Sequence, residues 1–114
     1  MPNTGGLSCF PYNANRDSLK LMIIGVLTAD ISIPEARSLK DKRSVLRSLK
    51  DRILNRMNVS VAEVGRQDEW RFAELAFVTV AATSKIVQSR LADLDKFLRS
   101  NPRYVLLDIH TEFI

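Results

Sequence analysis

From residue 22 onward the chain alternates apolar and polar positions and then switches to a helical period. In MIIGVLTADISI, residues 22–33, Ile23, Leu27, Ala29, Ile31 and Ile33 share one phase, while Thr28, Asp30 and Ser32 share the other. A half-buried strand has this pattern. Pro34 ends it, and Ser38 with Asp41 three residues on forms a capping box for a helix running to about Met57. Leu39, Leu46, Leu49, Ile53 and Met57 form the apolar stripe of a helix laid on a sheet.

NVSVAEV (58–64) and ELAFVTVAA (74–82) are β-branched runs joined through a Gly65–Arg71 connection, which predicts a hairpin. The second run is apolar on both faces, as a central strand requires. Thr83 or Ser84 caps a second helix to about Ser100, with Val87, Leu91, Leu94 and Leu98 inward, and Asn101-Pro102 stops it. RYVLLDIHTEFI alternates again, with Val105, Leu107, Ile109 and Phe113 expected inward and Asp108, His110 and Glu112 outward. The order β-α-β-β-α-β predicts an α+β, ferredoxin-like fold with four antiparallel strands and both helices on one face. Its other sheet face, lined by Met22, Ile24 and Val26 among others, is apolar enough to suggest a homodimer or a covered surface.

Length changes little: 114 residues suit one domain, here residues 22–114. Residues 1–21, rich in Pro, Gly, Asn and Ser and without the features of a secretory signal, read as a flexible arm, with Met22 a candidate true start. No run reaches the roughly 18 apolar residues of a membrane span. The single cysteine, Cys9, and the absence of a C-x-x-C or His/Cys cluster exclude an intrachain disulfide and argue against a zinc site. A cytoplasmic protein without a cofactor or bound metal is the expectation.

Charge changes more. The formal net charge is +4, yet residues 37–56 hold eight basic and two acidic side chains, a local +6, so the remainder sums to −2. Within this stretch RSLKD occurs at 37–41 and again at 47–51. Ten residues turn a helix by about 1000°, roughly 80° short of three turns, so the two copies face different directions and are not a repeated binding unit. The cationic ridge is instead Lys40, Arg43, Arg47 and Lys50, spaced three, four and three. Lys42 falls inside the apolar seam, where its ammonium must snorkel out or meet a carboxylate or a phosphate. Arg37, Ser38, Lys40, Lys42 and Arg43 surround the helix N-terminus, which itself favours an anion. The candidate anion- or nucleic-acid-binding set is therefore Arg37, Ser38, Lys40, Lys42, Arg43, Arg47 and Lys50; the alternative is an ordinary solvated helix face.

The strand MIIGVL, the segment IPEARSLKDKR with its Ser38-Leu39-Lys40-x-Lys42-Arg43 core, NVSVAEVG, Asp68-x-Trp70 and LLDIHTEFI together resemble the YlxP-like family of small bacterial proteins, a domain of unknown function. The resemblance implies a ferredoxin-like fold, and a setting near translation, since genes of the family often lie beside those for ribosome-maturation factors. It supplies no catalytic residues.

The expectation is a non-enzymatic module associated with RNA or the ribosome through its basic first helix. The alternative is a homo-oligomeric interaction or ligand-sensing module. A base-reading sheet is not expected, because Phe77 is the sole mid-strand aromatic and the open face carries Asp30, Asp108 and Glu112. An acid–base or metal set of Asp30, Asp108, His110 and Glu112 ranks third. Trp70 is a candidate contact, or else an apolar lid on the hairpin.

Overall fold

The computed structural model describes residues 22–114; the expectations for the arm at residues 1–21 lie outside the described residues. The elements are β1 (Ile23–Ser32), α1 (Leu39–Arg56), β2 (Ser60–Gly65), β3 (Phe72–Ala81), α2 (Ser84–Arg99) and β4 (Val105–Phe113). The strands form one antiparallel sheet in the order β2-β3-β1-β4. This is the ferredoxin-like arrangement, with β1 and β3 central.

The alternation of β1 survives folding. Leu27, Ala29, Ile31 and Ile33 are buried toward the helices, and Ile23 packs at the edge of the same cluster. Phe77, Leu75 and Ala73 of β3 continue this layer, and Val87, Leu91, Leu94 and Leu98 of α2 close it. Burying each such side chain contributes roughly 1.5–3 kcal/mol. Helix α2 comes unusually close at Gly25, where an added Cβ would lie 2.5 Å from Val87 Cγ1 and 3.0 Å from Leu91 Cδ1. Thr83 caps α2 by accepting the Ile86 N–H at 3.3 Å.

The phase expected for β4 needs correction. Leu106 and Ile109 pack on the core, whereas Val105 and Leu107 are each 52% exposed. Ile31 pairs with Leu106 but Asp30 with Asp108, so the register slips by one residue there and Leu107 is the extra one. A one-residue bulge exchanges inward and outward positions on one side of it. Beyond the bulge the expected phase holds, and Phe113 lies opposite Gly25 on the helix side.

Candidate nucleic-acid interface

Helix α1 begins as its sequence implies. Ser38 is the N-cap and its Oγ accepts the Asp41 N–H at 3.1 Å, while Asp41 Oδ2 accepts the Arg37 N–H at 2.9 Å. These bonds satisfy two donors and place a carboxylate where an external anion was expected. Ser38 therefore leaves the candidate set: its hydroxyl oxygen is engaged as a cap.

Lys42 leaves it too. The residue is 1% exposed, and its ammonium donates to the carbonyls of Arg66 at 2.7 Å and Glu69 at 2.8 Å and pairs with Glu63 Oε2 at 2.6 Å. Of the destinations open to a lysine in the seam, the carboxylate is the one realised. Glu63 Oε2 is shielded from water and, among the described residues, has no hydrogen-bond partner beyond this ion pair. Three acceptors around one ammonium are a structural clamp: they tie the first turns of α1 to the Gly65–Arg71 connection, which contains Arg66 at φ 57°. Ile33 N–H to Arg71 O at 2.7 Å and Arg71 Nε to Ala36 O at 3.3 Å fasten the same connection to the segment before α1.

The other cations stay outside. Arg37, Lys40, Arg43 and Arg47 are exposed and Lys50 is half-buried. Among the described residues the ion pairs are Lys42–Glu63 and Arg99–Asp95, so none of these five is neutralised there by the protein's own carboxylates. Lys40, Arg43, Arg47 and Lys50 thus form a continuous ridge along one flank of α1.

The apolar side of α1 is completed by Val45, Leu46, Leu49 and Ile53, with Leu39 and Met57 half-buried at its ends. The pairing of Lys42 with Glu63 had a signal in the sequence. Glu63 continues the inward phase of Val59 and Val61, just as Lys42 occupies the inward phase of the helix, and two opposite charges aimed at one core must meet.

Sequence reasoning missed a second basic region. Arg52 and Arg56 project from the opposite flank of α1 and line a groove shared with α2, where Lys85, Arg90 and Lys96 face them. Arg56 follows Arg47 by nine residues, two and a half turns, which separates the two flanks by about 180°. The signal was present as an i, i+4 arginine pair, but which element faces that flank is a matter of tertiary packing.

Trp70 is 50% exposed, so it neither closes over the core nor stands fully free. Arg66 lies 4.9 Å from the ring centroid of Phe72 beside it. On the open sheet face Asp30 pairs across strands with Asp108 and with Glu74, Thr28 with His110, and Val26 with Glu112. Among the described residues no three His, Cys, Asp or Glu side chains converge as a metal site. Val78 and Val80 remain 42% and 49% exposed on this face, beside half-buried Ile24 and Val26. Among the described residues no helix is long and apolar enough to cross a membrane.

Fold and surface define a small α+β domain with a cationic helical layer behind a sheet whose open face is part apolar and part acidic. Residues 24–111 match the family described as "Protein of unknown function (DUF503)", and the chain belongs to that family. It is also similar to the Uncharacterized protein YlxP of Bacillus subtilis (strain 168), 37% identical over 79 residues that cover 66% of this chain and 86% of the relative.

Proposed function

We propose that the protein is a non-enzymatic binding module that associates with RNA, in the setting of the ribosome, through the basic flank of α1. The observation that carries this reading is the contrast between Lys42, enclosed by three acceptors of its own protein, and Arg37, Lys40, Arg43, Arg47 and Lys50, which no carboxylate of the described residues neutralises. A ridge of this kind recognises phosphates and helix shape more than base sequence, because side chains cannot read the deep groove of duplex RNA. The acidic row Glu74, Asp30 and Asp108 repels a polyanion from the other face, which restricts the approach to the helical side. A reducing cytoplasm fits this use.

The open sheet face supports a second role that is compatible with the first. Ile24 and Val26, paired with exposed Val80 and Val78, form an apolar strip suited to a second copy of the chain, leaving the helical layers of both copies outward. Arg43→Glu combined with Arg47→Glu separates the two roles. Loss of duplex-RNA binding with unchanged sedimentation supports RNA association through α1; full retention of RNA binding refutes it. The ridge, if it neutralises about four phosphates, should contribute about −3 to −4 to the slope of log affinity against log salt.

A further inference from the structure

We infer that the groove between α1 and α2 is a phosphate-binding site, with Arg90 and Arg56 as its anchors, and that it takes the phosphate esters of the same RNA whose backbone the α1 ridge meets. The identity of the ligand rests on the RNA-binding reading above; the phosphate chemistry of the groove does not.

Among the described residues, five cations, Arg52, Arg56, Lys85, Arg90 and Lys96, line the groove against the single carboxylate Asp93. Asp93 lies in no ion pair among the described residues, and none of the five cations is paired with a carboxylate of those residues. Two of the guanidinium groups are held in place by neutral partners. Arg90 donates through Nη1 to Thr79 Oγ1 at 2.6 Å and to Val80 O at 3.2 Å, and Thr79 in turn donates to Asn58 O at 2.9 Å. Thr79 is buried, so this chain fixes one edge of the Arg90 fork to the end of β3. Its Nε and Nη2 make no hydrogen bond within the described residues and retain their donors. Arg56 lies 5.0 Å from the Phe97 ring centroid, a stacking contact that orients the guanidinium without discharging it.

An arginine oriented by uncharged groups has lost much of its side-chain freedom before a ligand arrives, while its charge and planar fork remain available. Guanidinium forks match the paired oxygens of a phosphate, which an ammonium cannot do. Groove and ridge flank the same helix, whose diameter with side chains is about 10–12 Å, so a backbone crossing α1 can reach both.

The test uses the full-length chain, the groove variant Arg56→Gln/Arg90→Gln and the ridge variant Arg43→Glu/Arg47→Glu, with two probes, a duplex RNA and inorganic tripolyphosphate. Arg90→Lys is included because it keeps the charge and removes the fork, and thermal melting identifies any variant that fails to fold. The groove variant is expected to reduce the salt slope for RNA by about 1.5–2, one contact for each arginine removed, and to abolish tripolyphosphate binding. Arg90→Lys should restore part of the salt dependence without restoring full affinity. If wild type ignores RNA but binds tripolyphosphate through the groove, the groove stands and the RNA reading falls. If both probes bind the groove variant as they bind wild type, the inference is overturned, and RNA binding lost only in the ridge variant would leave the functional reading intact.

Discussion

Replacing Lys42 by methionine retains a long apolar stem in the seam of α1 and deletes the ammonium. Three contacts disappear, at 2.6 Å to Glu63, 2.7 Å to Arg66 O and 2.8 Å to Glu69 O. Hydrogen bonds from a charged group contribute about 1.5–3 kcal/mol each, but the ammonium no longer has to be desolvated, and that relief offsets several kcal/mol. What remains is the cost of stranding Glu63 and two carbonyls, and removing one member of a buried pair typically costs about 3–5 kcal/mol. The Glu63 side chain keeps 19% of its surface in water and can turn outward, which points to the lower end, about 3 kcal/mol. For a fold of about 90 residues this lowers Tm by roughly 12–24 °C. Urea unfolding followed by circular dichroism measures it, with an unchanged m-value as the sign of a pure stability loss. Adding Glu63→Met to Lys42→Met removes the stranded carboxylate and should recover part of the loss. A Lys42→Met protein within 1 kcal/mol of wild type, or a double variant less stable than the single, refutes the clamp.

Two further perturbations test the packing. Gly25→Ala drives a methyl group into Val87 and Leu91, so it should cost about 1–3 kcal/mol in chemical denaturation; Gly65→Ala should cost less, because what it meets is the Glu74 carboxylate, the movable end of a flexible side chain. Burial pushes the Tyr104 hydroxyl up from 10.0 to about 12, partly countered by Arg52, while its proton is donated to Leu98 O at 2.7 Å. Folding thus favours the protonated phenol: the contribution is complete below pH 10 and is lost as pH rises from 10 toward 12. At full development it amounts to roughly 2–3 kcal/mol. Tyr104→Phe should remove this component of alkaline destabilisation, and equal pH dependence of the two proteins would contradict the assignment.

The elements were legible because their signals are local. The stripe Val87, Leu91, Leu94 and Leu98, the caps at Ser38 and Thr83 and the alternation of β1 each follow from a period or from a few adjacent residues. The β4 phase was not legible, since a bulge leaves no mark when Val105, Leu106 and Leu107 are all apolar and either pair can turn inward. The ridge of α1 could be read directly, as helical spacing alone defines it. Lys42 could be flagged but not placed: its three acceptors lie 21 to 27 residues away, and only the folded β2–β3 connection brings them together. The interhelical groove depends on which flank of α1 faces α2, a property of topology that no single helix encodes.

The most direct measurement is co-sedimentation of the tagged full-length protein with isolated ribosomal subunits at low and at moderate salt. Binding at low salt that weakens steeply as salt rises, and that Arg43→Glu with Arg47→Glu abolishes, is the predicted result. Sedimentation independent of the subunits at both salts, or an association indifferent to those two charge reversals, contradicts the claim that α1 presents its cations to RNA.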